Sequence, residues 1–283
     1  MLPVQPVDAW MNLHFALPDD PRYRVGYLFS GLADRISRGT SAADLITVMD
    51  EAGVERGVLT AGFLGQSRQD LPALARAAGE FPDRFAASLV VDPRQGMEAV
   101  RIVRSAVSDH GVRLIRMLGY ETQLPYDHAA YYPVYAACAE LGVPVGLNVG
   151  IPGPLVPGAA QDPMALDAVC AFFPDLQIVM SHGGEPWPDL CVKLLLKWPN
   201  LHYMTSAFAP RHIPAPVIDF VNTRGADKVM WASDYPVMSL DRCVRELAGL
   251  PLKDDQRIAK FVRGNALRMF FGEKDADDKD ADD

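Results

Sequence analysis

Two apolar runs in this chain end in the same way. Ile178-Val179-Met180 stops at Ser181-His182-Gly183-Gly184, and Val229-Met230-Trp231-Ala232 stops at Ser233-Asp234 before Tyr235-Pro236. A short run that is apolar at every position reads as a parallel strand covered on both faces, and such a strand can deliver a polar side chain at its C-terminal end. Gly183 and Gly184 permit a tight turn after it, and Pro186 suits the first turn of a helix predicted over 187–198. A lone histidine in this position is more often a hydrogen-bonded core residue than a functional one. A second strand ending on a carboxylate reverses that balance and marks the start of a site.

The same unit recurs along the chain. Strands are expected at 7–13, 54–60, 85–91, 112–118, 144–150, 178–181, 201–206 and 228–236. Helices are expected at 40–50, 71–81, 97–109, 131–141, 163–173, 187–198, 214–224, 240–248 and 254–271, with Ser41 or Thr40 as the first cap and Gly53 as its stop. About eight strand-helix units in 283 residues, 49% of them hydrophobic, predict an α/β fold of the (β/α)8 TIM-barrel type. The barrel is expected over 1–272, followed by an acidic, disordered tail over 273–283 that carries much of the net charge of −9. No basic cluster points to nucleic acid. Four widely spaced cysteines read as buried free thiols in a reducing compartment. With neither a signal-like N-terminus nor an apolar run of membrane-spanning length, a cytoplasmic protein is expected.

Strand parity nominates site residues. The first strand places Asp8, Trp10 and Asn12 on one face, the fifth ends on Asn148, and the fourth aligns Leu114, Arg116 and Leu118. Arg116 is then either a barrel-interior cation or an edge residue. Residues 151–158 form a Pro/Gly-rich loop suited to walling a site. Phe63, Leu64, Ile151, Leu155, Phe208 and Met238 would either receive a bulky apolar acyl group or pack the barrel rim.

Ser181-His182-Gly183-Gly184, Trp198-Pro199-Asn200-Leu201-His202-Tyr203 with Thr205-Ser206, the strand 228–236, and Gly264-Asn265-Ala266-Leu267-Arg268-Met269-Phe270 occur in an order that resembles the amidohydrolase-related family of metal-dependent barrels. That family includes decarboxylases. The resemblance implies that His182 faces a metal and that Asp234 contacts metal and water. It also implies a His-x-His pair where this chain has Trp10 and Asn12, and a histidine where it has Asn148. An amide oxygen is a weak metal ligand and an indole is none, so the usual site is absent in its usual form.

Three explanations follow: a metal-free binding protein, a hydrolase or decarboxylase persisting on His182 and Asp234, or a rebuilt ligand set. The rebuilt set comprises Asp8, Asn12, Asn148, His182, Glu185 and Asp234, with His182, Glu185 and Asp234 also catalytic. It resembles TIM-barrel nonheme diiron monooxygenases, and that resemblance is the leading expectation. It implies iron, with two ions, over zinc or manganese. It further implies a small-molecule substrate with a bulky apolar group, of the coenzyme A-linked kind, contacted by Arg116, Trp10 and Phe208. Related barrels also suggest a homodimer.

Overall fold

The computed structural model describes residues 1–17, 19–63 and 66–273. Leu64 and the tail beyond Glu273 therefore lie outside the described residues. Eight strands run in sequence order in one parallel sheet: β1 Val7–Asn12, β2 Arg56–Ala61, β3 Phe85–Val90, β4 Leu114–Met117, β5 Val145–Asn148, β6 Ile178–Ser181, β7 Leu201–Met204 and β8 Val229–Met230. The last strand meets the first through backbone bonds from Ala9 N to Trp231 O (3.3 Å), Asp234 N to Trp10 O (3.0 Å) and Asn12 N to Tyr235 O (2.9 Å). The sheet is thus a (β/α)8 barrel with helices on its outside, as the sequence predicts.

Strand parity sorts the core into two apolar clusters. Ile178 and Met180 of β6 face outward with Leu147, Tyr203 and Trp231 and meet the helices. Val179 faces inward with Trp10, Val58, Val90, Leu114, Leu118, Met204 and Met230. Both faces of β6 are therefore buried, which is why its sequence is a continuous apolar run and not an alternating one. Each fully buried aliphatic side chain contributes about 1.5–3 kcal/mol.

The helix Ala42–Ala52 begins with a capping box in which Ser41 and Asp44 satisfy each other's backbone N–H, and ends at Gly53 with φ 73°. Three expectations are corrected. The eighth strand pairs as a strand over only Val229–Met230, because the chain beyond it bonds to β1 and to Asp8. The segment between the strand at 7–13 and the helix at 40–50, for which no element is expected, contains the helix Leu32–Ser37. The closing helix is α-helical over Asp255–Ala259 and then widens to π turns at Lys260–Gly264 and Leu267–Phe271. Asn265 between those turns donates to the carbonyls of Ala226 and Val229, both at 2.7 Å, tying this helix to the base of β8.

Residues 19–40 bond to the loops that follow the C-terminal ends of β5 and β8. The Tyr27 hydroxyl donates to Gly153 O (2.7 Å), Leu155 N donates to Arg22 O (2.7 Å), and Arg35 donates to the carbonyls of Pro236 (2.6 Å) and Val237 (2.7 Å). The loops after β1, β5 and β8 are thereby joined over the barrel mouth. No helix among the described residues is long and apolar enough to cross a membrane.

Candidate active site

His182 and Asp234 meet at the C-terminal end of the barrel, with His182 Nε2 4.0 Å from Asp234 Oδ2. His182 directly follows β6 and Asp234 lies four residues beyond β8; each has a left-handed backbone, φ 67° and 64°, which is a strained setting for residues other than glycine. The His182 Nδ1 is 2.7 Å from Ser206 Oγ, and the same hydroxyl accepts from His182 N at 3.2 Å. Phe208 packs on this turn: a Cβ at Gly183 would come within 2.4 Å of its ring. One edge of the imidazole is therefore held while the other faces the carboxyl group.

Trp10 lies beside this pair, its ring centroid 4.5 Å from that of His182. Arg116 resolves to the interior position. It is fully buried, its Cζ is 3.4 Å from the Trp10 ring centroid, its Nε donates to Ser88 Oγ (3.1 Å), and its Nη2 donates to Ala9 O (3.1 Å). Among the described residues Nη1 has no hydrogen-bond partner, and neither does the buried Oδ1 of Asn148 or Oγ of Ser181. Asn148 and Ser181 are register partners on neighbouring strands.

Burial dominates the electrostatics. It raises the Asp234 carboxyl to about 7, against the hydrogen bond from Asn12 and the charge of Arg116. Burial and the same arginine push His182 down to about 3, so its ring is neutral at pH 7 and the 4.0 Å contact is no ion pair. Arg116 falls only to about 9 and remains a cation.

Of the other sequence-nominated ligands, Asn12 joins Asp234 whereas Asp8 and Glu185 are engaged elsewhere. Asp8 is fully buried, and burial raises it to about 7. Its Oδ1 accepts from Trp10 N (3.1 Å) and Ser233 N (2.8 Å), and its Oδ2 accepts from the Ser233 hydroxyl. It straps β1 to the end of β8. Asp8→Ala is expected to lower the unfolding free energy by about 3 kcal/mol, because these buried donors lose their acceptor. Urea denaturation measures this; a loss below about 1 kcal/mol would rule out the strap. Glu185 has an exposed side chain, and its carbonyl accepts from Ile151 N at 2.7 Å.

The orientation of the donors decides whether these residues suit the divalent metal implied by the family resemblance. Trp10 Nε1 donates to Asn12 Oδ1 (3.0 Å), so the amide is turned with Nδ2 toward Asp234 Oδ1 (2.8 Å) and Tyr235 O (2.9 Å). Asn12 presents hydrogens where a ligand needs a lone pair. Asp8 is engaged elsewhere, and a guanidinium lies in the barrel interior. Among the described residues no group of three or more His, Cys, Asp or Glu could hold a metal ion. The set does not fit a divalent-metal site.

Sequence reading missed Ser206 as the partner of His182 and Ser88 as the partner of Arg116. Parity carried the signal: Ser206 follows the inward Met204 by two residues, and Ser88 lies between the inward Ala86 and Val90.

A family model described as Amidohydrolase matches residues 7–272. The gamma-resorcylate decarboxylase of Rhizobium radiobacter is 23% identical, over 91% of this chain and 96% of the relative. An uncharacterised TIM-barrel protein from Bordetella bronchiseptica superposes with TM-score 0.77 at 24% identity, covering 94% and 98% of the two chains. A dihydroxybenzoic acid decarboxylase from a Polaromonas species, with bound manganese and the inhibitor 2-nitroresorcinol, superposes with TM-score 0.73 at 19% identity, covering 94% and 97%. These structural likenesses show the fold. The diiron monooxygenase expectation is corrected, and the iron and oxidoreductase assignments with it. Two curated relatives are gamma-resorcylate decarboxylases, and no carboxylate-histidine cluster of the kind two irons need converges among the described residues. The coenzyme A-linked substrate rested on the same reading and loses its support.

Proposed function

The chain belongs to the amidohydrolase family, and from that premise we propose that it is a decarboxylase-type enzyme acting on a small aromatic carboxylic acid at the His182–Asp234 pair. The observation that carries the reading is the convergence of these two side chains at the C-terminal strand ends, where barrels of this fold perform chemistry. The names of the relatives supply the substrate class.

Decarboxylation breaks the bond between the carboxyl carbon and the ring, leaves the electron pair on the ring carbon, and requires a proton there. Asp234, protonated up to about pH 7, is the donor in this reading. Neutral His182, fixed by Ser206, accepts or positions a substrate hydroxyl through Nε2. Arg116 holds positive charge beneath both residues. The metal of the Polaromonas relative enters no step, since the donors here do not fit it.

The test is incubation with hydroxylated benzoates such as 2,6-dihydroxybenzoate in D2O. The expected result is release of CO2 with one deuterium at the vacated ring carbon. Cleavage of aryl esters or lactones without CO2 release from any acid would overturn the reading.

A further inference from the structure

We infer that the positive charge of this site is built into the chain as the Arg116 guanidinium, and that the site works without a resident divalent metal. The inference rests on the proposed active site, and it concerns where that site's cation comes from. Arg116 is fully buried on the inward face of β4. The barrel interior is shaped around it. Gly146 on the adjacent β5 leaves space that a side chain would take, since a Cβ there would lie 3.3 Å from Arg116 Cγ and 3.5 Å from Nη1. Ser88 and Ala9 O fix two of its nitrogens, and the Trp10 ring covers its face at 3.4 Å. Trp10 thus occupies a position where the family resemblance implies a ligand and instead holds the cation.

The amide of Asn12, donating to Asp234, completes the substitution. A carboxyl group that would otherwise face a metal is hydrogen-bonded by an N–H and faces an arginine charge. A divalent ion placed between His182 and Asp234 would meet that charge in a low-dielectric interior, where repulsion is strong. Arg116 acts here as a positioning residue, through the field it sets at His182 and Asp234.

The decisive measurement uses the unmodified protein and needs no substrate. Metal content is determined after purification without chelator, and Mn2+ and Zn2+ are then titrated calorimetrically. The expected result is under about 0.1 metal ion per chain and no saturable site tighter than about 1 mM. Stoichiometric metal, or a micromolar site lost in His182→Ala or Asp234→Asn, overturns the inference and leaves decarboxylation itself untouched. Conversely, failure to decarboxylate any acid defeats the functional reading without altering the metal result.

The second measurement compares Arg116→Lys with Arg116→Met, each confirmed as folded by circular dichroism. If charge is what Arg116 supplies, kcat falls about tenfold with lysine and about a thousandfold with methionine. Equal losses would assign Arg116 a packing role and overturn the inference.

Discussion

Asp234→Asn lowers kcat roughly a thousandfold while leaving the fold intact, a loss within the range associated with a positioned general acid. The substitution keeps an oxygen able to accept from Asn12 Nδ2, now at 2.8 Å, so the network at the strand end survives and only the transferable proton is removed. Calorimetric unfolding separates the two effects. A kcat within about tenfold of the parent would exclude Asp234 as the proton donor.

The pH profile gives the same group a second signature. The acid form of Asp234 predominates below about 7, so kcat is flat on the acid side and falls about tenfold per pH unit above it. The sign for stability runs the same way. Asp8 and Asp234 both carry raised folded-state values of about 7, against an ordinary 3.8. Between those limits the folded chain binds more protons than the unfolded one, so stability declines as pH rises through that window. Asp234→Asn removes one of the two groups and flattens the decline, which urea denaturation at pH 5 and pH 8 measures.

The barrel was legible in the sequence because strands covered on both faces leave continuous apolar runs, and His182 and Asp234 were legible because those runs stop on them. Parity aligned Arg116 with Leu114 and Leu118, although nothing in the pattern alone separates an interior arginine from one at an edge, and the inward Ser88 and Ser206 went unread. Glu185 shows where pattern reading ends. It adjoins a site histidine in sequence, but the turn at Gly183 and Gly184 leads the chain outward, and the carboxylate lies exposed. Asn12 shows a second limit. Residue type marks it as a ligand of poor quality, while its role depends on which way its amide turns, and the indole two residues earlier fixes that. Asp8 shows a third: its partner Ser233 lies 225 positions away.

Gly150→Ala is expected to destabilise the chain by about 4 kcal/mol, combining backbone strain with overpacking. Gly150 has φ 96°, outside the range that alanine adopts readily. A Cβ there would lie 2.7 Å from Glu185 O, 2.8 Å from Glu185 N and 2.8 Å from Gly184 C. All three are backbone atoms, so no rotamer change relieves the contact. Relief requires the loop after β5 to separate from the loop after β6, breaking the 2.7 Å bond from Ile151 N to Glu185 O. The loop displaced is the one that carries His182, so activity falls together with stability. For a chain of this size about 4 kcal/mol corresponds to a Tm lower by about 10 °C. Gly53→Ala provides the comparison, since it shares a positive φ of 73° but has open space around its Cβ position. It should cost only the strain, about 1 kcal/mol. Equal losses in the two variants would show that backbone conformation alone, and not the close approach of the two loops, is what Gly150 provides.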